Sequence, residues 1–121
     1  MEINGVARGY LSRNLRSDQF FEIVADLIRK ELNDWKGSFD VAVSKGSYFE
    51  ITIKRAGTRY IAGISKDELE TLQYQSPYAV DEYIWRHLDQ QGFPIERGHG
   101  NYIPYVLGEY QVEKGKLLFC S

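Results

Sequence analysis

The sequence contains few of the residues that metal centres and covalent catalysis require. Its 121 residues include one cysteine, Cys120, and two histidines, His87 and His99. A lone cysteine cannot form an intrachain disulfide, which favours a reducing compartment. A structural zinc site normally needs four Cys or His ligands, and no serine here lies in a Gly-x-Ser-x-Gly turn. We therefore expect no metal site, no cofactor and no catalytic residue, and the chain is interpreted more readily as a non-enzyme.

The sequence also lacks long apolar runs and an excess of either charge. No stretch approaches the roughly 18 apolar residues that a membrane helix needs, and residues 1–5 lack the basic start and apolar run of a secretory leader. We therefore expect a cytoplasmic protein with no membrane partner. Acids and bases are interspersed and sum to a net charge of −2, whereas nucleic-acid-binding proteins usually present a basic face. The charge argues against nucleic acid as a partner.

Aromatic residues, in contrast, are abundant. They make up 14% of the chain, with nine tyrosines and six phenylalanines, and the hydrophobic fraction is 43%. This composition suits a packed globule and not a disordered chain. The length fits one hydrophobic core, so we expect a single α+β domain over residues 1–121. Because tyrosine joins an apolar ring to a hydroxyl that needs a partner, the surplus favours a binding surface.

The clearest local pattern predicts an amphipathic helix over about residues 17–36. Ser17 is the expected N-cap and Gly37 the expected stop. Before this helix, turn-forming glycines at positions 5 and 9 predict a short strand or ribbon. The apolar residues that recur at helical spacing are Phe20, Val24, Leu27, Ile28, Leu32 and Trp35.

A switch to alternating apolar and polar residues then predicts a three-stranded antiparallel meander over about residues 38–64. The turns are expected at Lys45–Ser47 and at Ala56-Gly57. One face of this sheet is apolar, and we expect the first helix to cover it. The inward-facing residues of the first two strands are Phe39, Val41, Val43, Phe49, Ile51 and Ile53.

Two further helices are predicted at about residues 65–73 and 76–91. Ser65, followed by Glu68 three residues later, has the pattern of a capping box. Ser76 is the expected cap of the second helix, with Pro77 at its first position.

The tail is predicted to return to extended structure. Residues 102–107 are expected to form an extended segment, which Pro104 would confine to a sheet edge. Residues 110–119 then predict a C-terminal hairpin.

The tyrosine surplus and the missing catalytic residues favour a small protein-interaction module, such as an inhibitor or accessory protein that binds and occludes a partner. Trp85 is the main argument, because the apolar stripe Val80–Ile84–Leu88 leaves it off the expected core face. An exposed tryptophan is typical of a binding hot spot. The predicted partner-binding residues are Tyr78, Tyr83, Trp85, Tyr102, Tyr105 and Tyr110.

The alternative is a binder of a small, nucleotide-like anion. The polar loop around His99 is flanked by glycines and carries a cation and an amide, which suit an anion. We expect this pocket at a homodimer interface, for which a spare edge strand would serve. An enzyme using His99 or His87 ranks last because no partner group stands at a persuasive spacing. The predicted ligand-binding residues are Arg59, Arg97, His99, Asn101 and Tyr102.

Overall fold

The computed structural model describes residue 3 and residues 5–108. Over these residues the fold is α+β, as predicted, with a three-stranded antiparallel sheet in the order β1-β2-β3. The predicted C-terminal hairpin lies outside the described residues. The elements in chain order are α1 (Gly5–Asn14), α2 (Ser17–Asn33), β1 (Asp40–Ser44), β2 (Tyr48–Arg55), β3 (Thr58–Ser65), α3 (Lys66–Gln75), α4 (Ala79–Gln90) and α5 (Tyr102–Val106).

Helix α2 is the predicted amphipathic helix, and its apolar stripe is buried. The N-cap is Arg16, which has extended backbone angles, and Ser17 is the first helical residue, so the predicted cap was wrong by one position. The Gln19 side chain accepts a 3.2 Å hydrogen bond from the Arg16 N–H and thereby closes this end. The ring of Phe21 lies 5.2 Å from that of Phe49 on β2, so α2 packs on the sheet.

The sheet has the predicted alternation of faces. Phe49, Ile51 and Ile53 on β2 are buried. The connection between β2 and β3 is a two-residue turn at Ala56-Gly57, because Arg55 pairs with Thr58. Both turn residues have positive φ angles, 50° and 82°, as tight hairpin turns of this hand require.

Helices α3 and α4 pack against β3 and contribute apolar residues to the core. Ser65 caps α3 as predicted, since its hydroxyl accepts a 3.2 Å hydrogen bond from the Glu68 N–H. Helix α4 begins at Ala79, with Tyr78 at the N-cap, so the predicted start at Ser76-Pro77 was wrong. The side-chain amide of Gln91, after α4, accepts from the Ile61 N–H over 3.0 Å and donates to the Ile61 carbonyl, which closes the outer edge of β3.

Both terminal predictions within the described residues were wrong. The N-terminal strand is helix α1, and the extended segment at residues 102–107 begins with helix α5. Pro104 is the third residue of α5, where the backbone N–H has no partner within the helix, so proline is tolerated. In α1, Gly9 lies against Pro77: a Cβ there would be 3.6 Å from Cγ of Pro77, an ordinary van der Waals contact.

Candidate functional site

Three of the six residues of the predicted aromatic surface are buried. Trp85 and Tyr102 are each 0% exposed and Tyr78 is also buried, so their predicted exposure was wrong. Tyr83 is half-buried, stacks on His87 at 4.2 Å and donates a hydrogen bond to Glu68. Tyr105 is partly exposed and meets Tyr78 edge-on at 5.3 Å. Tyr110 lies outside the described residues.

Trp85 is buried because a second layer covers the face of α4 that the apolar stripe leaves free. Its ring lies 5.7 Å from Trp35 and 6.2 Å from Tyr102. The indole N–H donates a 3.0 Å hydrogen bond to the Tyr102 hydroxyl. Helix α5 therefore supplies both the apolar cover and the polar partner that a buried tryptophan needs.

The predicted ligand-binding residues do not converge on one site. Arg97 donates to the carbonyl of Ile95 over 3.2 Å. His99 is hydrogen-bonded to Glu96 at 3.0 Å, and Asn101 accepts from the N–H of Ile3 at 2.9 Å. Arg97 and His99 therefore contact their own loop, whereas Asn101 holds the N-terminal segment at Ile3.

Arg59, the remaining cation of that set, lies at the β2–β3 hairpin. It lines a cavity of about 690 Å³ together with Lys54, Arg55 and Asp40. The guanidinium of Arg55 stacks 5.4 Å from the ring of Phe39. Tyr102, the last member of the predicted set, belongs to the buried layer beside Trp85.

A different groove collects charged groups from three separate segments of the chain. It has a volume of about 580 Å³ and lies where α2 and α3 begin, beside the β1–β2 turn. We call it the α2 groove. Its lining residues are Arg16, Ser17, Asp18, Lys45, Gly46, Phe49, Lys66, Glu70 and Tyr74.

The cations of the α2 groove stand at two helix starts. Arg16 is the N-cap of α2, and Lys66 is the first residue of α3. The positive end of the helix dipole repels a cation at a helix start, so the positive charge at both positions is locally unfavourable. Lys45, on the turn between β1 and β2, contributes the third cation.

Three carboxylates moderate this charge, and Glu70 of α3 is one that lines the groove. Asp18 lies 3.3 Å from Nε of Arg16, and the hydrogen bond from Arg16 lowers the pKa of Asp18. Glu22, one turn further along α2, lies 3.4 Å from Nζ of Lys45. Both ion pairs are solvent-exposed, and pairs of this kind contribute little to stability. They leave the cations able to accept another partner.

Ser17 is the buried polar residue of the α2 groove. It is 7% exposed and lines the groove. The helical hydrogen bonds of α2 begin with the N–H of Phe20, which donates to the Arg16 carbonyl over 2.8 Å. The preceding N–H groups of the first turn therefore lie outside that ladder. Sequence reasoning treated Ser17 only as a helix cap.

A buried polar network forms the second cluster of charged and hydroxyl groups. The Arg8 guanidinium is paired with the carboxylate of Asp81, and both side chains are buried. The Tyr102 hydroxyl donates to Oδ2 of Asp81 over 2.6 Å. Burial raises the pKa of Asp81, with Arg8 opposing that rise, and burial together with Asp81 raises the pKa of Tyr102 well above its ordinary value. The network connects α1, α4 and α5.

Comparison with known proteins gives no relative. No family model matches the chain, and neither a characterised protein nor a solved structure matches it significantly. Among residue 3 and residues 5–108, no group of three or more His, Cys, Asp and Glu side chains could hold a metal ion. No helix in the same residues is long and apolar enough to cross a membrane.

Proposed function

We propose that the protein binds a small, nucleotide-like anion in the α2 groove and does so without catalysis. The observation that carries this proposal is a groove in which Ser17 lies beside cations from three segments of the chain. An anion there would accept a hydrogen bond from the Ser17 hydroxyl, while the Asp18 carboxylate already accepts from the N–H groups of Asp18 and Gln19. The anion would also offset the charges of Arg16 and Lys66 at their helix starts.

The walls of the groove favour a ligand that carries a ring as well as an anionic group. Tyr74 on α3 is 63% exposed and lines the groove, as does the buried Phe49. An exposed tyrosine ring is a suitable stacking platform for a nucleobase. The volume of about 580 Å³ is within the range of small-ligand sites. A nucleoside monophosphate has the required combination of phosphate and planar base.

The lining of the α2 groove favours binding over turnover. Neither histidine nor cysteine is among its described lining residues. Ser17 has no hydrogen-bonded base that could activate its hydroxyl as a nucleophile, within the described part of the chain. The carboxylate of Asp18 is engaged with Arg16. These features support a sensor or carrier of the ligand.

Calorimetric titration tests the proposal with three ligands: adenosine monophosphate, adenosine and inorganic phosphate. We expect the monophosphate to bind more tightly than either part alone, because it uses both the cations and the Tyr74 ring. The Lys66→Gln variant should bind it about tenfold more weakly, the usual cost of one charge-assisted hydrogen bond. The Lys54→Gln variant is the matched control, because it removes the same charge from the cavity at the β2–β3 hairpin and not from the α2 groove. Equal weakening by both variants would refute the assignment to the α2 groove.

A second variant tests the electrostatics from the opposite direction. Asp18→Asn removes the carboxylate that competes with an incoming anion for Arg16. We expect this variant to bind the monophosphate more tightly than the unmodified protein, with a weaker dependence on pH in the acidic range. Binding that is unchanged or weaker would show that Arg16 does not contact the ligand.

An interaction module that occludes a partner is the second candidate. Three of the six aromatic residues predicted for it are buried. Exposed apolar residues on helix α1 nevertheless support an interaction surface. Val6 and Tyr10, one turn apart on α1, are 85% and 63% exposed. We expect Tyr10→Ser to leave the unfolding free energy within about 0.5 kcal/mol, as for most surface changes, while it weakens capture of a protein partner. Unchanged capture by this variant would remove the candidate in this form.

A further inference from the structure

The two edges of the sheet differ in how their backbone groups are satisfied. At the outer edge of β3, the Gln91 side chain bonds both the N–H and the carbonyl of Ile61. Strand β1 forms the other edge. Among the described residues, no donor or acceptor bonds the outer side of β1. An open edge of this kind is a template for another strand.

The strand register determines which groups of β1 face outward. The backbone of Ile61 points outward, and the direction of bonding alternates along each strand of an antiparallel sheet. Ile61 is level with Thr52, and Thr52 is level with Ala42. Thr52 therefore bonds to Ala42 on β1. The N–H and carbonyl groups of Val41 and Val43 consequently point away from the sheet.

These two valines make the β1 edge complementary to a second copy of itself. In an antiparallel pair with a two-fold axis at Ala42, Val41 of each copy is level with Val43 of the other, and each such pair can exchange both of its backbone hydrogen bonds. The Ala42 residues meet at the axis, where the backbones approach most closely. Strand β1, with the sequence DVAVS, contains neither the lysine nor the proline that protects many edge strands.

A small groove beside β1 has room for a side chain of the second copy. It has a volume of about 180 Å³ and lies between the end of α2 and the start of β1. Its lining residues are Arg29, Leu32, Asn33, Phe39, Asp40 and Val41. Val41 is half-buried against the core on this side of the sheet. The Val43 that pairs with it from the second copy would therefore point into the groove.

The charges along α2 are also complementary to a second copy. Glu22 lies 3.4 Å from Nζ of Lys45, just beyond the end of β1. Arg29 lines the groove where β1 begins, and Asp26 between them is paired with Arg29 at 2.8 Å. Helix α2 therefore runs in the opposite direction to β1. A two-fold axis at Ala42 exchanges the two ends of the strand, so Glu22 of one copy faces Arg29 of the other.

We propose that the β1 edge is a homodimer interface, in which the β1 strands of two copies pair antiparallel and continue the sheet from one chain into the other. The strand register, the groove beside β1 and the charges of α2 are three separate features that this one arrangement uses. The dimer does not require a ligand in the α2 groove, so it is tested independently of ligand binding.

Sedimentation velocity over a range of concentrations tests the interface with Ala42→Lys. Ala42 is exposed, so the single chain should tolerate lysine, whereas two lysines would lie directly opposite each other at the axis. We expect the unmodified protein to dimerise, and the variant to have a dissociation constant at least about tenfold higher. Thr71→Lys adds the same charge on α3, which packs against β3 at the other edge of the sheet, and should dimerise normally. An unmodified protein that is monomeric at all concentrations, or equal dimerisation of the two variants, would overturn the proposal.

Charge reversal on α2 tests the orientation of the two copies. Arg29→Glu places acids opposite each other and Glu22→Arg places bases opposite each other, so each variant alone should dimerise more weakly. An equimolar mixture restores opposite charges at both contacts between unlike copies. We expect heterodimers to be about tenfold tighter than either variant homodimer. A mixture that associates no better than its components would contradict the proposed arrangement.

Amide hydrogen exchange tests whether the contact lies on β1 itself. We expect the Val41 and Val43 amides to exchange quickly in dilute protein and slowly where the dimer predominates. The Ala42 amide, which bonds to Thr52, should exchange slowly at both concentrations and is the internal control. Protection of the two valines that does not change with concentration would mean that another segment of the same chain covers this edge, and the proposal would be wrong.

Discussion

The hydroxyl of Tyr102 donates a 2.6 Å hydrogen bond to Oδ2 of Asp81, across 21 residues of sequence. Both side chains are fully buried, so neither can exchange this partner for water. This bond connects α5 to α4 and orients the carboxylate that receives Arg8. An unmade hydrogen bond in such a place costs more than the bond contributes, and the network is therefore expected to be sensitive to single changes.

Replacing Tyr102 by phenylalanine tests the network through its pH dependence. The folded pKa of Tyr102 lies well above its ordinary value of 10.0, so its contribution to stability is complete below pH 10 and is lost as the pH rises through the folded value. We expect Tyr102→Phe to lower the unfolding free energy by about 1–3 kcal/mol at neutral pH. The difference should narrow above pH 10 in urea unfolding experiments. Tyr74→Phe, with its exposed ring, controls for general effects of alkali, and a difference that stays constant with pH would contradict the account.

Asp81→Asn tests the ion pair with Arg8. The change keeps the shape of the side chain but leaves a buried cation without its counter-charge, which typically costs about 3–5 kcal/mol. We expect a loss of this size in chemical denaturation at neutral pH. Asp89→Asn, on the exposed side of the same helix, should change stability by less than about 0.5 kcal/mol. Similar losses for the two variants would mean that Arg8 and Asp81 do not act as a pair.

Gln91→Ala tests how the edge of β3 is closed. The Gln91 amide occupies both the N–H and the carbonyl of Ile61, and an open strand edge is a template for pairing between chains. We expect the variant to lose about 1–3 kcal/mol of unfolding free energy and to associate at high concentration. Sedimentation velocity measures the association, with Gln90→Ala as the neighbouring control. A variant that is less stable but associates no further than the unmodified protein would show that Gln91 anchors α4 without protecting the edge.

The elements predicted correctly are those whose signals are local. The apolar stripe of α2 and the alternation in β2 are patterns of neighbouring residues, and the tight turn at Ala56-Gly57 lies within one hairpin. Ser65 and Glu68 similarly mark the start of α3 within four residues. Patterns of this range survive folding because the tertiary contacts reinforce them.

The elements predicted wrongly depend on contacts between distant residues. Helix α1 buries a charged residue, Arg8, whose counter-charge Asp81 lies 73 residues away in the sequence. Trp85 was expected at the surface because one apolar stripe accounts for α4. The second face of α4 is covered by Tyr102 of α5. The segment that forms α5 was itself predicted as extended, with Pro104 confining it to a sheet edge.

The α2 groove could not be predicted from the sequence either. Arg16, Lys45 and Lys66 are separated by more than one secondary-structure element, and only the register of the β1–β2 hairpin with the two helix starts brings them together. The available signal was the cation at each helix start, where an acidic residue is the usual choice. The loop around His99 gave a stronger motif, but His99 pairs with Glu96, Arg97 donates to the Ile95 carbonyl and Asn101 accepts from Ile3.

The central claim, that a nucleotide-like anion binds in the α2 groove, is tested most directly by amide chemical shifts during titration with adenosine monophosphate. We predict that the largest changes occur at Ser17 and the two residues after it, at Lys45-Gly46 and at Lys66, and that they saturate together. Adenosine alone should shift the region of Tyr74 only weakly. Changes confined to the β2–β3 hairpin around Arg59 or to the loop around His99, or no saturable change at all, would contradict the account.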